Sequence, residues 1–193
     1  MKKRIVLASS SPRRQEILKN LGLTFDVVKS DIDEKVREEE LPEHIVMALA
    51  LEKAIDVSNK IDSDAIIIAA DTIVYKEKVL GKPRSFDDAY SMLTSLQDDI
   101  HHVYSGLAII ERGTYNKYVT YEKTMVKIKN LSDDKIKRYI DTGEVWDKAG
   151  AYAIQGLGST IVEYIEGDYF NVVGLPVSKL EDILHNHFDL NIL

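Results

Sequence analysis

The stretch AIIIAADTIVY, residues 65–75, limits the fold more than any other part of the chain. An unbroken apolar run from Ala65 to Ala70 precedes Asp71, and Ile73 and Val74 follow Thr72. Such a run suits a central strand covered on both faces, with helices packed on either side of the sheet. A carboxylate inside it is costly unless it is paired, hydrogen-bonded or bound to a metal. At a strand end facing a cleft, Asp71 can hold a divalent cation or take a proton from water. The structural alternative is a carboxylate that caps a neighbouring element.

Around that strand the pattern alternates. Strands are predicted over 5–8 and 24–28, and helices over 12–21 and from 42 to about 58. A further helix starts near Ser85, and alternating stretches between 101 and 129 predict an antiparallel pair or meander. LSDDKIKRYIDTG reads as a helix with Ser132 as N-cap and Gly143 as its stop, and LPVSKLEDILHNHF as a last helix with Pro176 near its first turn. The acidic stretch DIDEKVREEE reads as a solvated loop or helix start. With 193 residues, no repeat and no Pro/Gly/Ser-rich linker, the expectation is one α/β domain, 1–193: a mixed twisted sheet with flanking helices and two lobes around a cleft.

Composition narrows the function classes. The chain has no cysteine, which excludes disulfides, thiolate metal sites and cysteine nucleophiles and fits a reducing, cytoplasmic setting. The basic start MKKRIVLASSS has only four apolar residues in a row, 5–8, too few for a signal peptide or a membrane span. A formal net charge of -7 argues against a broad grip on nucleic acid, and the 8% aromatic content against a single-strand groove. An anionic ligand then needs a local cationic pocket or a bound metal.

SSSPRR sets two adjacent arginines directly after three serines and a proline. Ser11 suits an N-cap and Pro12 the first helical position, which puts Arg13 and Arg14 in a first turn where the helix dipole disfavours cations. A bound anion reverses that penalty, since free N–H groups, hydroxyls and guanidinium forks converge there; a surface turn with two solvated arginines is the alternative. Lys53 follows Ile45 and Leu49 at helical spacing, where it can snorkel or reach a phosphate. Lys82 is held extended by Pro83. DKAGAYAIQGLGS places Gly150, Gly156 and Gly158 around Tyr152 and Gln155, either as a strand connection or as backbone that a ligand can approach, with the Gln155 amide able to pair with a base edge. Tyr169 and Phe170 offer rings for stacking or for packing. No complete dinucleotide fingerprint, Walker A, H-E-x-x-H or G-x-S-x-G motif is present, and the five histidines show no metal-ligand spacing.

Taken in order, LASSSPRR, AADT, GKP, DKAGAYAIQGLG and GDYFNVVGLP resemble the Maf family of nucleotide pyrophosphatases, once described as septum-formation inhibitors. The resemblance spans about Leu7 to Pro176, nearly the whole chain. It implies a fold of the inosine-triphosphate-pyrophosphatase type, and cleavage of a nucleoside triphosphate to the monophosphate and pyrophosphate with a divalent metal, Mg²⁺ or Mn²⁺. Carried over by motif, Asp71 resembles the catalytic base, and Ser9, Arg13, Arg14, Lys53 and Lys82 the triphosphate ligands. Glu34 matches an acidic position that helps hold the metal together with Asp71. Arg13, Thr72 and Gln155 resemble the specificity positions of the branch acting on dTTP and UTP, which reads ADT and IQG where a 7-methyl-GTP branch reads SDQ and SEG. Ala153 stands where the family often has glycine, and Phe170 where it often has tyrosine. A homodimer is the family expectation. The competing reading is a nucleotide-binding regulator of cell division with little turnover.

Overall fold

The apolar run becomes β3 (Ile66–Lys76), the strand on which the rest of the sheet is built. The protein is described by a computed structural model that covers residues 3–34 and 40–193. Beside β3 lie β1 (Ile5–Leu7), parallel to it, and β5 (Ile100–Glu111), antiparallel. β2 (Asp26–Val27) extends the sheet in parallel beyond β1, while β6 (Lys117–Ile128) and β7 (Val162–Glu166) extend it antiparallel beyond β5. β4 (Lys78–Leu80) folds back on the end of β3. The described residues thus form a seven-stranded mixed sheet, in the order β2-β1-β3-β5-β6-β7 with β4 on β3.

Both faces of β3 are covered, as its composition requires. Ile67 and Ala69 pack beneath α2 (Pro42–Lys60), against Ala50, Ala54 and Val57. Ile66, Ile68 and Ala70 point the other way, into a core shared with α1 (Pro12–Asn20) and α6 (Val177–Phe188). A further core joins α3 (Phe86–Leu96) and α4 (Asp133–Asp141) to the far ends of β5 and β6. α2 comes unusually near the sheet at Gly106 on β5: a Cβ placed there would stand 2.0 Å from the Val46 carbonyl oxygen. Gly106 is the register partner of Asp71, so this absence of a side chain brings α2 down over Asp71.

Most predicted elements form within a residue or two of their expected bounds. Ser85 and Ser132 cap α3 and α4 by accepting the Asp88 and Lys135 amides, and Gly143 follows α4 with φ 79°. The predicted meander is the β5–β6 pair. The strand expected over 24–28 shrinks to Asp26–Val27, since its residues lie half-exposed at the sheet edge. Ser11 occupies the N-cap position of α1 without a side-chain cap; its own amide instead donates to Ser9 Oγ at 3.2 Å. Three short elements were not expected from the sequence: β4, β7 and α5 (Tyr169–Val173). Of the acidic stretch 31–40, residues 35–39 lie outside the described residues.

Candidate active site

Asp71 and Thr72 are adjacent in β3 and point to opposite faces of the sheet, so the site is assembled from both. On the α2 face, Asp71 is buried and its Oδ1 accepts a hydrogen bond from Lys53 Nζ at 2.5 Å. Lys53 lies two helical turns after Val46, the residue whose carbonyl rests on Gly106, so the close approach of α2 delivers the ammonium to the carboxylate. The same Nζ meets Glu34 Oε1 at 2.7 Å, from the loop that follows β2. Burial works to raise the Glu34 carboxyl, but the Lys53 hydrogen bond and the charges of Lys53, Lys82 and Arg14 outweigh it and hold the carboxyl below its ordinary range.

On the other face Arg14 points in from the first turn of α1. Its Nε donates to the Gly174 carbonyl at 2.8 Å, Nη2 to Thr72 Oγ1 at 3.1 Å and Nη1 to Ser9 Oγ at 3.3 Å. The three hydrogen bonds that the described residues offer it go to neutral oxygens. Burial pulls the guanidinium below its ordinary value, opposed by the negative charge of Asp71 and reinforced by Arg13. A partly buried guanidinium bonded only to neutral oxygens is a strong attractor for an anion.

Arg13, Arg14, Glu34, Lys53, Asp71, Thr72, Lys82 and Gln155 line one cavity of about 560 Å³. Ser9 lines an adjoining space of about 410 Å³ with Ser10, Ser11, Lys29 and several of the same charged groups. The larger space also has apolar walls from Leu49, Ile73, Val79, Leu80 and Ile154, whereas the smaller is walled mostly by hydroxyls and charges, with Ala8 and Pro12 as its apolar lining. Every site residue expected from the sequence is thus gathered here, although the neighbourhood alone assigns no roles. Thr72 differs from expectation in one respect. Its hydroxyl is engaged with Arg14 and, at 2.8 Å, with Ser105 Oγ, so it faces the protein's own groups.

Asp147, Glu144, Tyr139 and His101 were not singled out in the sequence, whereas Gly150, Tyr152, Tyr169 and Phe170 were. Asp147 bonds Arg13 Nη1 at 3.0 Å and pairs with Lys148, joining α1 to the glycine-rich segment across the cavity mouth. Glu144 accepts the Leu157 and Gly158 amides at 2.9 and 3.1 Å, and Tyr139 Oη accepts the Ala153 amide at 3.1 Å, so α4 and the turn after it shape the segment that carries Gln155. Gly150, at φ 68°, donates its amide to the Gly81 carbonyl and so ties the Lys82 loop to the same segment. Tyr152 lines the cavity and shares a 2.7 Å hydrogen bond with Nε2 of the buried His101. Burial, with the nearby charges of His102 and Lys76, lowers His101 to about 3 against the opposing charge of Asp99, which keeps its imidazole neutral at neutral pH. Tyr169 and Phe170 are partly exposed and meet edge to face, with ring centroids 5.4 Å apart.

The donor set suits a hard divalent cation. Glu34 and Asp71 turn carboxylate oxygens toward one point, the place that the Lys53 ammonium takes in this structure. No group of three or more His, Cys, Asp or Glu side chains that could hold a metal is found among the described residues. Two carboxylates match a cation that keeps much of its coordination for water and phosphate oxygens, which is the habit of Mg²⁺ and is open to Mn²⁺.

The family model for Maf-like proteins matches residues 4–187. A dTTP/UTP pyrophosphatase of Alkaliphilus oremlandii is 53% identical over 191 residues, covering 99% of this chain and all of that protein. A dTTP/UTP pyrophosphatase of Clostridioides difficile is 45% identical over 188 residues and covers 97% of each. Among solved structures, the Ham1 protein of Staphylococcus aureus matches 84% of this chain and 81% of its own, at 16% identity and a TM-score of 0.45. The extent of the family match and the identity to these full-length relatives establish that the chain belongs to the Maf-like protein family.

Proposed function

We propose that this protein is a nucleoside triphosphate pyrophosphatase that hydrolyses dTTP and UTP to the monophosphate and pyrophosphate. The observation that carries the reading is the convergence of Arg13, Arg14, Lys53 and Lys82 on a cavity that also holds the buried Asp71 and has apolar walls. Relatives of nearly full-length coverage are named for this reaction on these two substrates. The triphosphate lies among Ser9, Arg13, Arg14, Lys53 and Lys82, and the pyrimidine lies toward Gln155, whose amide can both donate and accept.

Lys53 bonds Oδ1 of Asp71, which leaves Oδ2 as the oxygen that accepts a proton from water. That water's oxygen bonds to the α-phosphorus, the bond from the α-phosphorus to the α–β bridging oxygen breaks, and pyrophosphate leaves with the electron pair. The cationic groups stabilise the charge that develops on it. Glu34 and Asp71 are the residues that would hold a divalent cation, Mg²⁺ or Mn²⁺; when bound, it neutralises phosphate charge and polarises phosphoryl oxygens. Thr72 supports this arrangement through Arg14.

The test is pyrophosphate release from dTTP, UTP, CTP, GTP and 7-methyl-GTP with Mg²⁺ or Mn²⁺, wild type beside Asp71→Asn. Release from dTTP and UTP that drops by at least about a thousandfold in the variant, with unchanged melting, is the expected result. Equal turnover by the variant would remove Asp71 from the mechanism. Binding without turnover by the wild type would replace the enzyme with a nucleotide-binding regulator.

A further inference from the structure

Behind Arg14 runs a chain of hydrogen bonds whose direction follows from counting protons. Ser105, fully buried on β5, donates from Oγ to the Asn171 carbonyl at 3.0 Å. A serine hydroxyl has one proton, so its 2.8 Å contact with Thr72 Oγ1 is one in which Thr72 donates. The threonine proton being spent there, Thr72 Oγ1 presents only lone pairs to Arg14 and accepts Nη2–H at 3.1 Å. The Gly174 carbonyl stands 3.4 Å from the same Thr72 Oγ1 and accepts Arg14 Nε–H at 2.8 Å.

The far end of the chain is anchored. Asn171 is fully buried in α5, and its Nδ2 donates to the Val103 carbonyl at 3.1 Å and to Thr124 Oγ1 at 2.9 Å. Thr124 Oγ1 in turn donates to the Asp168 carbonyl at 2.9 Å, at the start of α5. β5 and β6 therefore hold α5 in register, and α5 ends at the glycine that receives Arg14. This gives the GDYFNVVGLP segment a task that ring stacking by Tyr169 and Phe170 does not explain.

We infer that Ser105 is a positioning residue for Arg14: by taking the Thr72 proton it fixes the Thr72 hydroxyl with its lone pairs toward Nη2–H and sets the fork toward the phosphate-binding space. The inference rests on the proposed reading of Arg14 as a triphosphate ligand. In Ser105→Ala the Thr72 proton loses this acceptor and turns toward the Gly174 carbonyl 3.4 Å away, so the Thr72 lone pairs are no longer held on Arg14 Nη2–H. The guanidinium then loses one fixed partner, and phosphate binding weakens while the contacts near Gln155 stay in place.

The experiment is calorimetric titration of wild type, Ser105→Ala and Ser105→Thr with inorganic pyrophosphate and Mg²⁺, with melting temperature and dTTP, UTP and GTP turnover recorded for each. We expect Ser105→Ala to bind pyrophosphate about fivefold to tenfold more weakly, the scale of one ordinary neutral hydrogen bond. Ser105→Thr, which keeps the hydroxyl, restores the affinity, and the dTTP-to-GTP preference is the same in all three. Equal pyrophosphate affinity in wild type and Ser105→Ala overturns the inference, even if the alanine variant melts earlier, because the role would then be structural. A change of nucleotide preference without a change in pyrophosphate affinity overturns it too, as does a wild type that binds no pyrophosphate. A wild type that binds pyrophosphate but turns over no triphosphate refutes the proposed hydrolysis, and the affinity comparison still decides Ser105.

Discussion

The two faces of β3 meet at one site and solve opposite problems. On the α2 face the charges are paired with opposite ones, a single ammonium being shared between the two carboxylates Asp71 and Glu34. On the Thr72 face they are not: Arg14 is held by a carbonyl and two hydroxyls, and further along the same face His101 is kept neutral against Tyr152. A matched cluster holds its members in place, and an anion or cation that enters must exchange partners with it. An unmatched guanidinium retains its charge for the incoming ligand. In the proposed mechanism the difference separates the group that works on water from a group that grips phosphate, although the two residues they centre on are consecutive.

Substitutions on the α2 face should have the largest effects. Gly106→Ala places a methyl group 2.0 Å from the Val46 carbonyl, a backbone atom that cannot swing aside, so α2 must lift from β5. Chemical denaturation should show a loss at the upper end of the overpacking range, about 3 kcal/mol or more, with turnover falling as Lys53 leaves Asp71. A variant as stable as wild type would mean that α2 does not set this distance.

Lys53→Met is the next in size. It leaves Asp71 buried beside Glu34 without their shared cation, and removing one member of a buried pair costs about 3 kcal/mol, less here because the Glu34 side chain is 53% exposed. Turnover at saturating dTTP should fall by about a hundredfold or more, and added Mg²⁺ should restore stability more than it does in wild type, since the cation meets two carboxylates with no competing ammonium. An Mg²⁺ response no larger than that of wild type would argue against Glu34 and Asp71 as the metal-binding pair.

The Thr72 face should instead show itself through pH. The His101 imidazole titrates near 3 in the folded protein and near 6.5 unfolded, so between those values the unfolded chain binds the extra proton. The stability that depends on neutral His101 is therefore complete above pH 6.5 and drains away as pH falls toward 3, by at most about 1.4 kcal/mol per pH unit. His101→Gln, which keeps a polar partner for Tyr152 but does not titrate, should flatten the denaturation midpoint between pH 6 and pH 4. An unchanged slope would assign the acid sensitivity to other groups.

Short local patterns explain what could be read in advance. The apolar run of β3, the caps Ser85 and Ser132 and the stop at Gly143 each depend on residues a few positions apart, and each appears where expected. β7 and β4 were missed because they are short and half-exposed and gain their hydrogen bonds from strands distant in sequence. Ser11 illustrates the same limit within one motif. Its position and the following proline suit an N-cap, but the chain turns so that Ser9 takes the amide while the Ser11 side chain makes no cap. Ser105 had a signal that could have been used: it is the one aliphatic hydroxyl in the apolar strand sequence VYSGLAII, and a buried polar group needs a partner.

By itself the sequence determined the central strand with a carboxylate inside it, the order of the longer helices and strands, and a set of residue types able to meet a phosphate. Those follow from local periodicity and from the cost of burying charge, which hold wherever the chain goes. Tertiary structure decided the pairings: Lys53 with both Asp71 and Glu34, Arg13 with Asp147, Arg14 with Gly174, and Thr72 with Ser105. Arg14 and Gly174 are separated by 160 positions, and their meeting depends on α5 being clamped to β5 and β6. A hydrogen bond is satisfied or lost over tenths of an ångström, a scale that only the packed sheet and its helices fix.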